Sequence, residues 1–147
     1  MYGTVPLADD YFRNNKLYTR AWDCADVFAK SKAMDMATRA IDLLNFQDDK
    51  TDPVQPNQFP RGGSTVVPDD ILIATYECAY AYLDGVDIRR EMDKLSISSQ
   101  GIDSVRVTYD RTIVAEHFRA GIASSLAWTH LKPYLRDANA RVISRVN

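Results

Sequence analysis

The chain has 147 residues, 46% of them hydrophobic and 26% charged, the proportions of one ordinary globular domain long enough to bury a core. A net charge of −2 argues against affinity built on neutralising many phosphates, while leaving room for a local basic patch. Apolar runs of only a few residues exclude a membrane-spanning helix, and MYGTVPLADD has neither the basic nor the apolar region of a secretory signal.

Pro6 to Asn14 reads as a short first helix with Leu7, Tyr11 and Phe12 on its inner side. A second amphipathic segment begins near Thr19 or Ala21 and carries Trp22, Val27 and Phe28. Lys30 to Phe46 has the clearest helical period: Met34, Ala37, Ile41 and Leu44 recur at three- and four-residue spacing, backed by Ala33, Ala40 and Leu43. On its polar side, Asp35 and Arg39 have the i,i+4 spacing and order of a favourable pair. Asn45 is the expected stop.

Residues 51–67 form a loop rich in proline. Pro53, Pro56 and Pro60, with Pro68 just beyond, fix φ and remove backbone donors, which predicts a stiff, extended connection. Arg61-Gly62-Gly63-Ser64 follows as a hinge, and it lacks the lysine and preceding strand of a phosphate-binding loop. Long ordered loops in small domains are commonly interaction surfaces, which makes Pro53, Pro56, Phe59, Pro60 and Arg61 candidate contacts with neighbouring subunits or partners.

Pro68 to Leu83 is apolar almost all round, with Asp69 and Asp70 in its first turn, where the helix dipole favours negative charge, and Gly85 as a left-handed cap. Such a helix is either central or buried by neighbouring subunits. Val86 to Lys94 reads as a short charged helix. From Leu95 to Asp110 the period changes to two: Leu95, Ile97 and Ser99 alternate before Gln100-Gly101, and Val105, Val107 and Tyr109 alternate after it, which predicts a β-hairpin. Its turn region, Gln100, Gly101, Ile102, Asp103 and Ser104, is a second candidate contact. Val114–Arg119 is a weak helical turn, and Ile122–Leu131 a helix with Leu126, Ala127, Trp128 and Leu131 inward, ended by Pro133.

Lys132–Asn147 is basic, with Lys132, Arg136, Arg141 and Arg145 against Asp137 alone, and Ala138, Val142 and Val146 give it a narrow apolar stripe. It is too short and too weakly apolar for independent stability, and reads as a tail that orders on a partner. The expected architecture is therefore mainly α: a small domain of four to five helices over residues 1–135, with an inserted β-hairpin and an extended C-terminal tail over 136–147.

No catalytic constellation emerges. His117 and His130 are far apart in sequence and have no metal-ligand spacing to Cys24 or Cys78, which read as two small buried hydrophobes in a reducing compartment. Asp9-Asp10, Asp48-Asp49 and Asp69-Asp70 suit helix starts and loops better than acid–base chemistry. For nucleic acid, Tyr109 with Arg106 and Arg111 is the best local pairing of aromatic and cation, diluted by Asp103 and Asp110. The chain is expected to be no enzyme and to need no cofactor and no metal.

The strings ATRAIDLLNF, TDPVQPNQFPR, VPDDILIATYECAYAYLDG and SSQGIDSVRVTYD resemble a bacteriophage family of head-to-tail adaptor, or connector, proteins, whose members often carry a DnaT-like single-stranded-DNA-binding label. The likeness runs from Tyr2 to Leu135 and is most specific in the proline loop with its FPR ending. It implies a structural protein of the virion neck, assembled in the host cytoplasm as a ring of about a dozen copies between the portal protein and the tail or a stopper protein. DNA would pass through without specific binding. In that setting Arg136, Arg141, Val142 and Arg145 would dock on the portal. The label implies the alternative, a replication accessory protein that binds single-stranded DNA.

Overall fold

In the computed structural model, residues 1–96, 99–102, 105–108 and 115–136 are described. The helices are α1 (Val5–Asn15), α2 (Arg20–Asp23), α3 (Val27–Asp42), α4 (Asp69–Leu83), α5 (Ile88–Ser96), α6 (Glu116–Arg119) and α7 (Ser125–Leu131), and a 3₁₀ turn over Lys132–Tyr134 follows α7. The starts of α1, α3 and α7 are set by side chains that satisfy orphan amides. Thr4 caps α1 through Leu7 N, Asp26 caps α3 by accepting from Ala29 N at 2.7 Å, and Ser124 caps α7 through Ala127 N. At the end of α4, Gly85 takes φ +92°, a left-handed conformation that suits glycine.

α4 is the centre of the fold. Ile71, Ala74, Cys78 and Ala79 are fully buried between α3 and α7, and Tyr76 and Tyr80 extend the core to Tyr11 and Phe12 of α1. Alanines at Ala33, Ala37, Ala74 and Ala79 let α3 and α4 approach closely, so Met34 and Ile41 interlock with α4. One chain thus buries most of its own apolar helix, while Leu72, Ile73, Tyr80, Tyr82 and Leu83 stay partly exposed. The buried hydroxyls of Thr38 and Thr75 are satisfied by the carbonyls of Met34 and Ile71 at 2.9 and 2.8 Å.

The expected architecture is corrected in several respects. Mainly α holds, but seven α-helices are present among the described residues in place of four to five, because α2 and α6 are single turns. A β-hairpin over 95–110 does not stand as an inserted unit of the fold. Leu95 and Ser96 close α5, since Ile88, Met92 and Leu95 continue a helical spacing that outweighs the short alternation beyond. What remains is two four-residue segments, β1 (Ser99–Ile102) and β2 (Val105–Thr108), paired antiparallel with each other and with no further strand among the described residues. Among the residues whose burial is described, the core lies in the helices, in the loops joining them and in the flanking Tyr2 and Leu135. The tail, 137–147, lies outside the described residues.

Inward and outward positions also move. In α1 the small Ala8 faces the core beside Phe12, and Leu7 is 52% exposed. Leu126 of α7 is exposed, and Cys24 is exposed where a buried position was expected. Arg39 Nε donates to the Asp35 carbonyl, not to its carboxylate, which instead lies 3.9 Å from the N-terminal amine.

The proline loop is not an extended connection. It folds back on itself: Thr51 N donates to Pro60 O, Gly62 N to Asp49 O, and Lys50 faces Arg61 in an isolated bridge. Phe59 is only 5% exposed and packs edge-on against Phe46, Tyr2 and Tyr134. A large ring driven inward anchors the loop more firmly than proline stiffness alone.

Candidate nucleic-acid interface

A polar cleft of about 490 Å³ lies between the end of α1, α2 and the start of α3, lined by Asp9, Phe12, Arg13, Lys16, Thr19, Trp22, Asp23 and Lys30. The two strongly exposed aromatic residues among the described ones, Tyr18 and Phe28, belong to the segments around it. Asp26 caps α3, which makes Val27 and Phe28 its first two residues and turns both away from the core; Phe28 is 78% exposed. Tyr18 is 82% exposed and lies between the lining residues Lys16 and Thr19; its carbonyl accepts from Tyr80 Oη at 3.2 Å, which fixes the backbone beneath it. Neither ring lines the cleft itself: Tyr18 belongs to the connection between α1 and α2, and Phe28 to the first turn of α3, two residues from Lys30 and so on a different side of the helix.

Internal partners hold most of the cleft's cations. Lys30 Nζ lies 2.9 Å from Asp9 Oδ1, which also accepts from Trp22 Nε1 at 2.7 Å. Burial pushes the Asp9 carboxyl up, but the bonds from Lys30 and Trp22 outweigh it and leave the group below the usual carboxylate range. Lys16 Nζ lies 2.7 Å from Glu77 Oε2 and 3.8 Å from the Tyr80 ring centroid, where its charge meets the π-face. Glu77 also accepts from Tyr11 Oη; burial, followed by that carboxylate, pushes the Tyr11 phenol well up. Arg13 pairs with Asp10 in an exposed contact, and Arg20 is exposed with no ion pair among the described residues. Chemically, the cleft has a mostly neutralised floor, and the exposed rings of Tyr18 and Phe28 are stacking surfaces outside its lining.

Of the candidates read from the sequence, Pro53 and Pro56 are exposed and Pro60 is partly buried. Phe59 lies in the core, and Arg61 is bound within its own loop to carbonyls of Gln47, Gln58 and Asp48. Gln100, Gly101 and Ile102 form β1 and Arg106 lies in β2, whereas Asp103, Ser104, Tyr109 and Arg111 are outside the described residues. Arg136 is exposed and its amide donates to Asn45 O; Arg141, Val142 and Arg145 lie outside. Among the described residues, Phe59 of the proline loop packs on Tyr134, two residues before Arg136. Tyr18 escaped the sequence reading, which placed Phe28 on an amphipathic segment and not at a surface site; the signal that would have turned Phe28 outward is the capping aspartate two residues before it.

A second polar cluster joins α4 to the end of α7. Asp70 accepts from His130 Nδ1 at 2.8 Å and from Tyr134 Oη at 3.0 Å, and the His130 bond, joined by that of Tyr134, holds its carboxyl below the usual range. Among the described residues, no group of three or more His, Cys, Asp or Glu is placed to hold a metal, and no helix is long and apolar enough to cross a membrane.

One family model matches the chain, over residues 1–146, and its description is "Putative DnaT-like ssDNA binding protein". No curated protein and no solved structure matches. The phage head-to-tail adaptor identity is not confirmed by these comparisons, whereas the DnaT-like label is the one that recurs. With all but its last residue inside the match, the chain belongs to the DnaT-like single-stranded-DNA-binding family.

Proposed function

We propose that the chain is a non-catalytic replication accessory protein that binds single-stranded DNA at the surface formed by α1, α2 and α3. The observation that carries this reading is the pair of exposed rings, Tyr18 between α1 and α2 and Phe28 in the first turn of α3, in a family described by single-strand binding. Stacking of a base on an aromatic ring is worth about 1–3 kcal/mol and tolerates any sequence. Because Lys16, Lys30 and Arg13 are already paired, Arg20 is left as the main phosphate contact. Affinity then comes chiefly from stacking, with a shallow salt dependence of about −0.7 in slope per phosphate neutralised. The test is fluorescence anisotropy of a labelled oligothymidine titrated from low to high salt. Tyr18→Ala and Phe28→Ala each weaken binding about tenfold, equivalent to about 1.4 kcal/mol. No binding by the wild type, or none lost in either variant, sinks the reading.

The outward aliphatic side chains far along the chain from the cleft, Leu43, Val54 and Val66, favour a second reading. They suit a structural component of a tailed-phage neck, a ring of about a dozen copies between portal and tail or stopper proteins, with DNA passing through the channel. Electron microscopy of virions carrying labelled protein decides it: label at the portal–tail junction supports the ring, and label absent from the particle removes it.

A further inference from the structure

Lys32, Met36, Arg39 and Leu43 follow one another at spacings of four, three and four, so they share one narrow stripe along α3 and its C-cap. All four are exposed, Leu43 at 79%. The stripe is about 16 Å long, at 1.5 Å per residue. It borders an apolar groove of about 530 Å³, lined by Ala29, Ala33, Tyr82, Leu83, Val86 and Ile88 among others. This face is basic and apolar at once.

The proline loop has the opposite character. Its own cations are consumed internally: Lys50 Nζ donates to Gln55 O, and Arg61 to the carbonyls of Gln47 and Gln58. Asp48, Asp49 and Asp52 are exposed, Asp52 Oδ1 accepting from Val54 N at 2.9 Å, and Val54 is almost wholly exposed. The loop is cross-linked by its own hydrogen bonds and pinned by Phe59, so docking it orders little new chain.

We propose that the proline loop of one copy docks on the α3 stripe of a second copy, with Val54 entering the groove and Asp49 and Asp52 facing Lys32 and Arg39. Each copy carries both halves of the contact, and charge complementarity selects the register. Asp35 at the stripe's edge lies against the N-terminal amine and detracts little from its positive character. The inference goes beyond the DNA-binding reading, and its test contains no DNA, so the two fail separately.

The experiment is sedimentation velocity of the full chain over a concentration series, with circular dichroism to verify that each variant is folded. Wild-type mass rises above the 16.6 kDa monomer with concentration. The double variants Lys32→Glu/Arg39→Glu and Asp49→Lys/Asp52→Lys each stay monomeric, and their equimolar mixture regains mass because opposite charges again face each other. A wild type that is monomeric throughout, variants that associate like the wild type, or a mixture that stays monomeric would each overturn the proposal.

Discussion

Lys16 and Glu77 meet at 2.7 Å across sixty-one residues of chain, joining the C-cap of α1 to the middle of α4, and Glu77 is only 4% exposed. A carboxylate in the centre of an apolar helix is tolerated because Lys16 and the Tyr11 hydroxyl both point at it. Removing one member of a buried pair strands the other, at a cost on the order of 3 kcal/mol. Lys16→Met is therefore expected to lower urea-unfolding stability by about that much, while Lys16→Met with Glu77→Leu recovers most of the loss. A single variant as stable as the wild type would show that the pair contributes nothing.

Phe59 and Val54 sit five residues apart in the same loop with opposite surroundings, one packed against three aromatic rings and one almost wholly in solvent. Phe59→Ala leaves a cavity and is expected to cost about 3–5 kcal/mol by chemical denaturation. Val54→Ala should fall within about 0.5 kcal/mol of the wild type. Equal effects at the two positions would contradict the anchoring role given to Phe59.

Acid stability should depend on Asp70. Its carboxyl is held below the ordinary value by the His130 and Tyr134 hydrogen bonds, so in the unfolded chain it takes up its proton at higher pH than in the folded one. Between the two values the unfolded state binds more protons, and stability rises with pH. The contribution is complete above the ordinary carboxylate value, about 3.9, and disappears as pH falls through the folded value. In melting curves across this acid window, Tyr134→Phe should flatten the slope and Asp70→Asn should flatten it further. An unchanged slope in Asp70→Asn would refute the assignment.

The sequence exposed the helices that bear the core better than it exposed their faces. α3 and α4 were legible because Met34, Ala37 and Ile41 repeat at helical spacing and because the run from Ile71 to Leu83 leaves no polar face. The inward choice of Ala8 over Leu7 was not legible, because close helix packing rewards the smaller side chain and that need arises only once α3 and α4 are in place. Phe59 was placed with the contact residues because prolines around it suggest surface, whereas its burial depends on Phe46 and Tyr134, far apart in the chain. The candidate interface was hidden for a related reason. Phe28 reads as core material until the cap at Asp26 rotates it outward, and Tyr18 lies in a connection with no period at all.

The described chain also closes on itself at one point: Phe46 and Leu135 form an isolated bridge, Gln47 N donates to Tyr134 O, and Arg136 N to Asn45 O. Gly62, Gly63, Ser64 and Thr65, by contrast, are all exposed, and a side chain added at Gly63 meets nothing within 4 Å. Cutting the backbone between Gly62 and Gly63 would leave α1, α2, α3 and the Phe59 anchor on one piece, and α4 and α7 on the other. The two pieces share the core and are clamped by the bridge, so they are suited to reassemble when expressed separately. The same break is where a reporter could be divided between them without disturbing either helix pair.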